Sequence, residues 1–182
     1  MKNTHPGKAE CLKMLEEYHT PENVIRHCAA VTDAALKIAS ALVEKGFSFD
    51  VELIQAACLL HDIARVKDEH WHVGADFALN IGLPEEAEII RKHMRYPLEQ
   101  DVSRLREIDL VCLGDRLILE DKYVGLEARM DYVIKKADGD KRVEGVIRER
   151  MELNKVLIRN IEEIIGVSLA DLILGKGNRE GE

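Results

Sequence analysis

The chain has 182 residues, of which 46% are hydrophobic and 33% charged, with only four prolines. That composition suits one compact helical domain and excludes a disordered chain. The net charge of −8 excludes a general nucleic-acid binder, which needs a basic face, but not a nucleotide substrate beside a metal ion.

In chain order, the first helix is expected over about 7–18, in an N-terminal segment (1–20) packed on the core. No secretory signal is expected in the first ten residues, which lack an apolar stretch. Thr20 reads as a helix cap, with Pro21 at the first helical position. The helix that follows carries an apolar stripe at Val24, Cys28, Val31, Ala35, Ile38 and Leu42, and Gly46 ends it. Asp50 caps the next helix, whose apolar run Ile54-Gln55-Ala56-Ala57-Cys58-Leu59-Leu60 delivers His61-Asp62. A charged connector (64–69) leads to a helix from His70 to Ile81, with Gly82 and Pro84 marking the turn after it. A short helix over 85–94 stops before Pro97, and a longer one is expected over 102–123. From Leu126 to Leu174 two or three helices follow, broken near Gly139 and Gly166, and 175–182 reads as a flexible tail. The expected fold is all-α, with a core domain over 21–130 and a helical extension of it over 131–174.

No apolar run approaches the roughly 18 residues of a membrane span, so no membrane partner is expected and the cytoplasm is the default location. Cys11, Cys28, Cys58 and Cys112 form no C-x-x-C pair and read as small core residues of a reducing compartment. The charged stretch 135–150 reads as a solvated helix face. The apolar positions between Val143 and Ile165 need cover, from the core or from a second copy in a homodimer.

Helical spacing places several metal-competent residues on inward faces. His27 lies on the stripe of Val24 and Val31. His61 follows Ala57 and Cys58, His93 follows Ile89 and Ile90, and His70 precedes Gly74 and Phe77. Asp115 continues the stripe of Leu105, Ile108 and Cys112. A lone inward histidine is usually a satisfied core residue. A buried Asp is not tolerated without a cation or a full set of partners, so this many polar groups on inward faces points to a metal site. The competing reading is a metal-free His–Asp hydrogen-bond network, which must be fully satisfied. His5 and His19 read as surface residues.

The pattern of His27, the His61-Asp62 doublet within Ala-Ala-Cys-Leu-Leu-His-Asp-Ile-Ala, and Asp115 resembles the HD superfamily of metal-dependent phosphohydrolases. The resemblance covers about residues 21–130 and implies an all-α bundle. His70-Trp71-His72-Val73-Gly74-Ala75 and Ile90-Arg91-Lys92-His93 look like the further histidine segments of the two-metal subset; His72 competes with His70 for that role, and the spacing to Gly74-Ala75 in the H-x-x-x-G-A segment favours His70. The G-Y-P signature of the cyclic-dinucleotide phosphodiesterases is missing. Gly114-Asp115-Arg116 resembles the Asp segment of small stand-alone HD hydrolases.

The resemblance implies that His27, His61, Asp62 and Asp115 hold one divalent ion. With two ions, Asp62 bridges them and His70 and His93 hold the second. Imidazole with carboxylate suits Fe, Mn, Co, Ni or Zn. A metal-activated water would then attack phosphorus in a small phosphorylated substrate, such as a nucleotide. Phosphoryl transfer also needs cations. Arg65 is the first candidate, then Lys92 and Arg116, ahead of Lys67, Arg95, Lys122 and Arg129. Arg26 reads as a partner for a neighbouring carboxylate. Two alternatives remain. Di-iron oxygenases of the same fold use much the same ligands, and a non-catalytic metal-binding sensor would bind without turnover.

Overall fold

The computed structural model describes residues 5–137 and 139–176. The chain order is α1 (Lys8–Glu17), α2 (Glu22–Val43), α3 (Val51–Leu60), α4 (His70–Asn80), α5 (Pro84–Lys92), a 3₁₀ turn at Val102–Arg104 and α6 (Glu107–Asp115). A two-stranded hairpin follows, β1 (Ile118–Leu119) and β2 (Lys122–Tyr123), then α7 (Gly125–Lys136), α8 (Lys141–Ile165) and α9 (Leu169–Leu174). The fold is all-α apart from that hairpin. The tail expected over 175–182 lies outside the described residues from 177 onward.

Helix α2 is the spine. Its stripe of Val24, Cys28, Val31, Ala35, Ile38 and Leu42 is buried, and it packs on α3, α6, α8 and α9. Helix α3 starts at Asp50, whose side chain accepts from the Leu53 amide at 3.0 Å, and it is buried over seven of its ten residues. One apolar cluster joins α2, α3, α6, α8 and α9; the second joins α1, α3, α4 and α5. α3 contributes to both, so its C-terminal end is held from two sides.

Gly114 sets the approach of α6 to α2. A Cβ there would stand 3.0 Å from the Val31 carbonyl oxygen and 3.2 Å from the Ala35 Cβ. The missing side chain lets the helices close, and the next residue, Asp115, comes opposite His27.

The single helix expected over 102–123 is instead a 3₁₀ turn, α6 and the hairpin. Its apolar pattern is continuous, but Glu120 sits in the left-handed region (φ 54°) and turns the chain back, pairing Ile118 with Tyr123. Strands of two residues are too short to show alternation. Thr20 does not cap α2; its hydroxyl donates to the Ile63 carbonyl at 2.8 Å, tying the start of α2 to the segment after the His-Asp doublet. His5, expected on the surface, is buried because three acidic side chains surround it. His19 is exposed as expected.

The breaks near Gly139 and Gly166 fall where the sequence places them, both glycines having positive φ. Along α8, Leu157, Ile161 and Ile165 are buried, whereas Val143, Val146, Leu153, Val156 and Ile164 are exposed. The helix therefore packs mainly through its C-terminal half. No helix among the described residues is long and apolar enough to cross a membrane.

Candidate metal centre

Two histidines sit where helices end. His61 is the C-cap of α3 and His93 the C-cap of α5. The last carbonyls of a helix lack intrahelical partners. Here the ring Nδ1 of each histidine donates to the carbonyl three residues back: His61 to Cys58 and His93 to Ile90, both at 2.7 Å. His27, on α2, donates its Nδ1 to the Glu120 carbonyl in the hairpin turn at 2.6 Å. Three backbone carbonyls thus fix three tautomers and leave each Nε2 to face a common centre. This is the arrangement that orients histidine ligands.

The donor atoms fall into two overlapping triads. His27, His61 and Asp115 form one, and His61, Asp62 and His93 the other, with donor atoms in each lying within 4.8 Å of one another. Asp62 turns Oδ2 toward His61 Nε2 (3.7 Å) and Oδ1 toward His70 Nε2 (3.1 Å) and His93 Nε2 (3.7 Å). Its two oxygens therefore face two sides of the cluster. Asp115 Oδ1 lies 3.2 Å from His27 Nε2 and 3.6 Å from Arg129 Nη2.

Two features fit a bound cation. His61 Nε2 and Asp62 Oδ1 are buried without a hydrogen-bond partner, and such orphans are costly in a protein interior. Arg65 Nη1 donates to His70 Nε2 at 3.0 Å. Guanidinium only donates, so that nitrogen is an acceptor. It stands 3.1 Å from the Asp62 carboxylate oxygen with no proton of its own between them. Two acceptors facing each other in a buried site are relieved by a positive ion. A satisfied, metal-free network would leave neither feature.

The electrostatics agree. Burial pushes the His61 imidazole down to about 4, so it is neutral at ordinary pH and its lone pair is free. Burial would raise the Asp62 carboxyl, but the imidazoles and the Arg65 guanidinium around it hold it well below the usual carboxylate range. Asp115 is held low in the same way by His27, His61 and Arg129, against its own burial. Burial pulls His27 and His93 down, but the Asp115 and Asp62 carboxylates beside them outweigh it and raise both; a cation held between imidazole and carboxylate would take the place of that proton.

His27, His61, Asp62, His70, His93 and Asp115 thus come together, from α2, the end of α3, the start of α4, the end of α5 and the end of α6. A pocket of about 530 Å³ opens over them, lined in part by Arg26, Arg65, Met94, Arg129, Tyr132 and Lys136. His72 is exposed and pairs with Arg91, so His70 is the residue at the cluster.

Among the candidate cations, Arg65 reaches the site. Lys92 does not: it is exposed on α5, donating to Glu88 at 2.6 Å, because His93 beside it takes the inward position. Arg116 does not either; it bonds the Tyr96 carbonyl and Asn154, joining the loop after α5 to α8. Arg26 pairs with Glu22 and with Asp121 of the hairpin turn. Arg129, ranked low in the sequence, lines the pocket, and its Nε is buried without a partner. Its position seven before Lys136 on one helix face was the available signal. Trp71 lies edge-on to His70, with Arg95 over its indole.

A family model for the HD domain matches residues 24–171, and the chain belongs to that family. An uncharacterized protein of Methanocaldococcus jannaschii is 42% identical over 131 residues, covering 63% of this chain and 75% of the other. A tRNA (cytidine(56)-2'-O)-methyltransferase of Thermoplasma volcanium is 27% identical over 175 residues, and one of Picrophilus torridus is 23% identical over 175. Each of those matches covers 87% of this chain but only 50% of the methyltransferase. No solved structure matches.

Proposed function

We propose that this member of the HD-domain family is a metal-dependent phosphohydrolase that cleaves a phosphomonoester or phosphoanhydride of a nucleotide or a similar small phosphate compound. The observation that carries the reading is the convergence of three tautomer-fixed Nε2 atoms and two ionised carboxylates beneath a pocket whose lining includes Arg65, Arg129 and Lys136. His27, His61, Asp62 and Asp115 would hold one divalent ion, and Asp62 with His70 and His93 a second. Fe, Mn, Co, Ni and Zn all suit imidazole with carboxylate. Such an ion, when bound, supplies a water nucleophile at neutral pH and neutralises charge on phosphate oxygens.

The chain's own residues do the rest. The helix-end carbonyls of Cys58 and Ile90 and the hairpin carbonyl of Glu120 hold the three imidazoles in register. Asp62 and Asp115 supply the negative charge that favours a dication. Arg65, at the pocket edge beside Asp62, is placed to take a phosphoryl oxygen and to give up its bond to His70 as it does so. In the overall step a water oxygen bonds to phosphorus, the P–O bond to the leaving group breaks, and the leaving oxygen ends protonated.

Methyl transfer belongs to the named relatives, which carry about as much chain again beyond the matched half. A di-iron oxygenase of the same fold would also take an anionic phosphonate at these cations, so O₂ uptake on polyols and phosphonates, not the charge of the pocket, separates it from a hydrolase.

The test is elemental analysis of protein purified without a chelating step, followed by hydrolysis of bis-p-nitrophenyl phosphate and p-nitrophenyl phosphate with the metal restored. Asp62→Ala should lose at least about 100-fold in metal affinity, since even residues that only orient ligands cost 10–100-fold. Its hydrolysis should fall with it. Unchanged hydrolysis in that variant would overturn the reading.

A further inference from the structure

Helix α7 presents Arg129, Tyr132, Val133 and Lys136 to the pocket, spaced i, i+3, i+4 and i+7 along one face. The cations on this face differ from the others around the site. Arg26 is matched by Glu22 and Asp121. Arg65 is engaged by Asp62 and His70. Among the described residues Arg129 pairs with one carboxylate, Asp115, at 3.6 Å, and its Nε is buried with no partner. Lys136 has no carboxylate within ion-pair distance among the described residues; its ammonium lies 4.5 Å above the Tyr132 ring. The Arg129 guanidinium stands 6.0 Å from the same ring.

A phosphoryl group placed at the histidine–aspartate cluster is within reach of Arg129, which already borders Asp115. Lys136 is two helical turns on, about 10 Å along the axis, too far to share that group. Its charge faces the same cavity and is left for something else. A volume of about 530 Å³ is also larger than a lone phosphoryl group needs, and is typical of sites that enclose a whole small molecule.

We propose that the α7 face is a recognition wall for a substrate with two anionic groups. Arg129 binds the phosphoryl group that is transferred, Tyr132 packs on the body of the substrate, and Lys136 binds a second phosphate or carboxylate. The proposal rests on the phosphohydrolase reading for the role of the first anion, and its test separates the two.

The probes are butylphosphonate and butane-1,4-bisphosphonate, whose P–C bonds a phosphohydrolase does not cleave, titrated calorimetrically into the metal-loaded protein. The bisphosphonate should bind about three- to fivefold tighter, the scale of an exposed ion pair, and the gain should shrink with added salt. Lys136→Met should erase the gain and leave butylphosphonate binding unchanged, while Lys136→Arg keeps the gain. Arg129→Gln should weaken both probes about tenfold or more, as expected for a charged hydrogen bond to phosphate. Metal content and circular dichroism confirm that each variant is folded and loaded.

Equal binding of the two probes would overturn the proposal. So would a gain that survives Lys136→Met, or an Arg129→Gln variant that binds butylphosphonate like the parent. If the expected pattern appears in a protein that cleaves no phosphoester, the hydrolase reading falls and the wall stands. If phosphoesters are hydrolysed with no preference for a second anion, the wall falls and the hydrolase reading stands.

Discussion

At the N-terminal ends of α3 and α5, His5 Nδ1 donates to Glu86 Oε1 at 2.7 Å, with Asp50 and Glu85 at 3.5 and 3.7 Å from its other nitrogen. At the C-terminal ends of the same two helices stand His61 and His93, with Asp62 between them. Both ends bury imidazole against carboxylate. They differ in what is left over. Among the described residues around His5 no buried side-chain polar atom lacks a partner, and the acidic side chains lie at helix starts, where the dipole favours them. At the other end His61 Nε2 and Asp62 Oδ1 have none. A buried histidine beside an acid is therefore not the mark of a site. The mark is a set of lone pairs that the protein has oriented and not satisfied.

The sharpest way to break this contrast is to supply a metal. Loading at 100 times its dissociation constant should stabilise the fold by about 2.7 kcal/mol, read as a rise in Tm of roughly 5–10 °C for a chain of this size. Asp62→Ala should show no such rise, and His5→Gln should show all of it. An equal rise in all three proteins would mean that the ion binds elsewhere.

Gly114→Ala tests the seam that assembles one end only. The new methyl would press on the Val31 carbonyl and the Ala35 side chain, so we expect a loss of about 1–3 kcal/mol in urea unfolding together with weaker metal binding. Parent-like metal affinity would show that His27 and Asp115 do not depend on the close approach of α2 and α6.

The His5 end should answer to pH. Burial pulls the His5 imidazole down, but its hydrogen bond to Glu86 and the charges of Glu86, Asp50 and Glu85 raise it overall. A raised folded-state value means the stabilisation is complete below the unfolded value of about 6.5 and is lost as pH climbs through the folded value. Parent and His5→Gln should differ by about 1–3 kcal/mol at pH 5.5 and converge toward pH 9. A gap that stays constant with pH would remove the charged pair from the explanation.

The smallest effect is expected at Lys92, which lies on the helix that spans both ends and touches neither cluster. Lys92→Ala should change stability by no more than about 0.5 kcal/mol and leave hydrolysis and metal content as in the parent. A marked loss of activity would return this lysine to the site.

The helices, the stripe of α2 and the glycine breaks were legible in the sequence because local propensity and a period of 3.6 residues leave their trace in every turn. The six inward histidines and aspartates were legible for a related reason: a buried charge needs partners wherever the fold puts it. The sequence by itself thus determined an all-α chain that gathers imidazole and carboxylate in its interior. Three matters were decided only by tertiary structure. The hairpin that breaks the expected helix over 102–123 depends on one left-handed residue, Glu120, whose carbonyl then orients His27. The ranking of the cations depends on which way a helix face turns, so Arg129 and Lys136 replace Lys92 and Arg116 at the pocket. His5 is buried because three acidic side chains from two helix starts meet around it. Each of these rests on contacts between segments far apart in the chain, and periodicity carries no information about which distant face a side chain will meet.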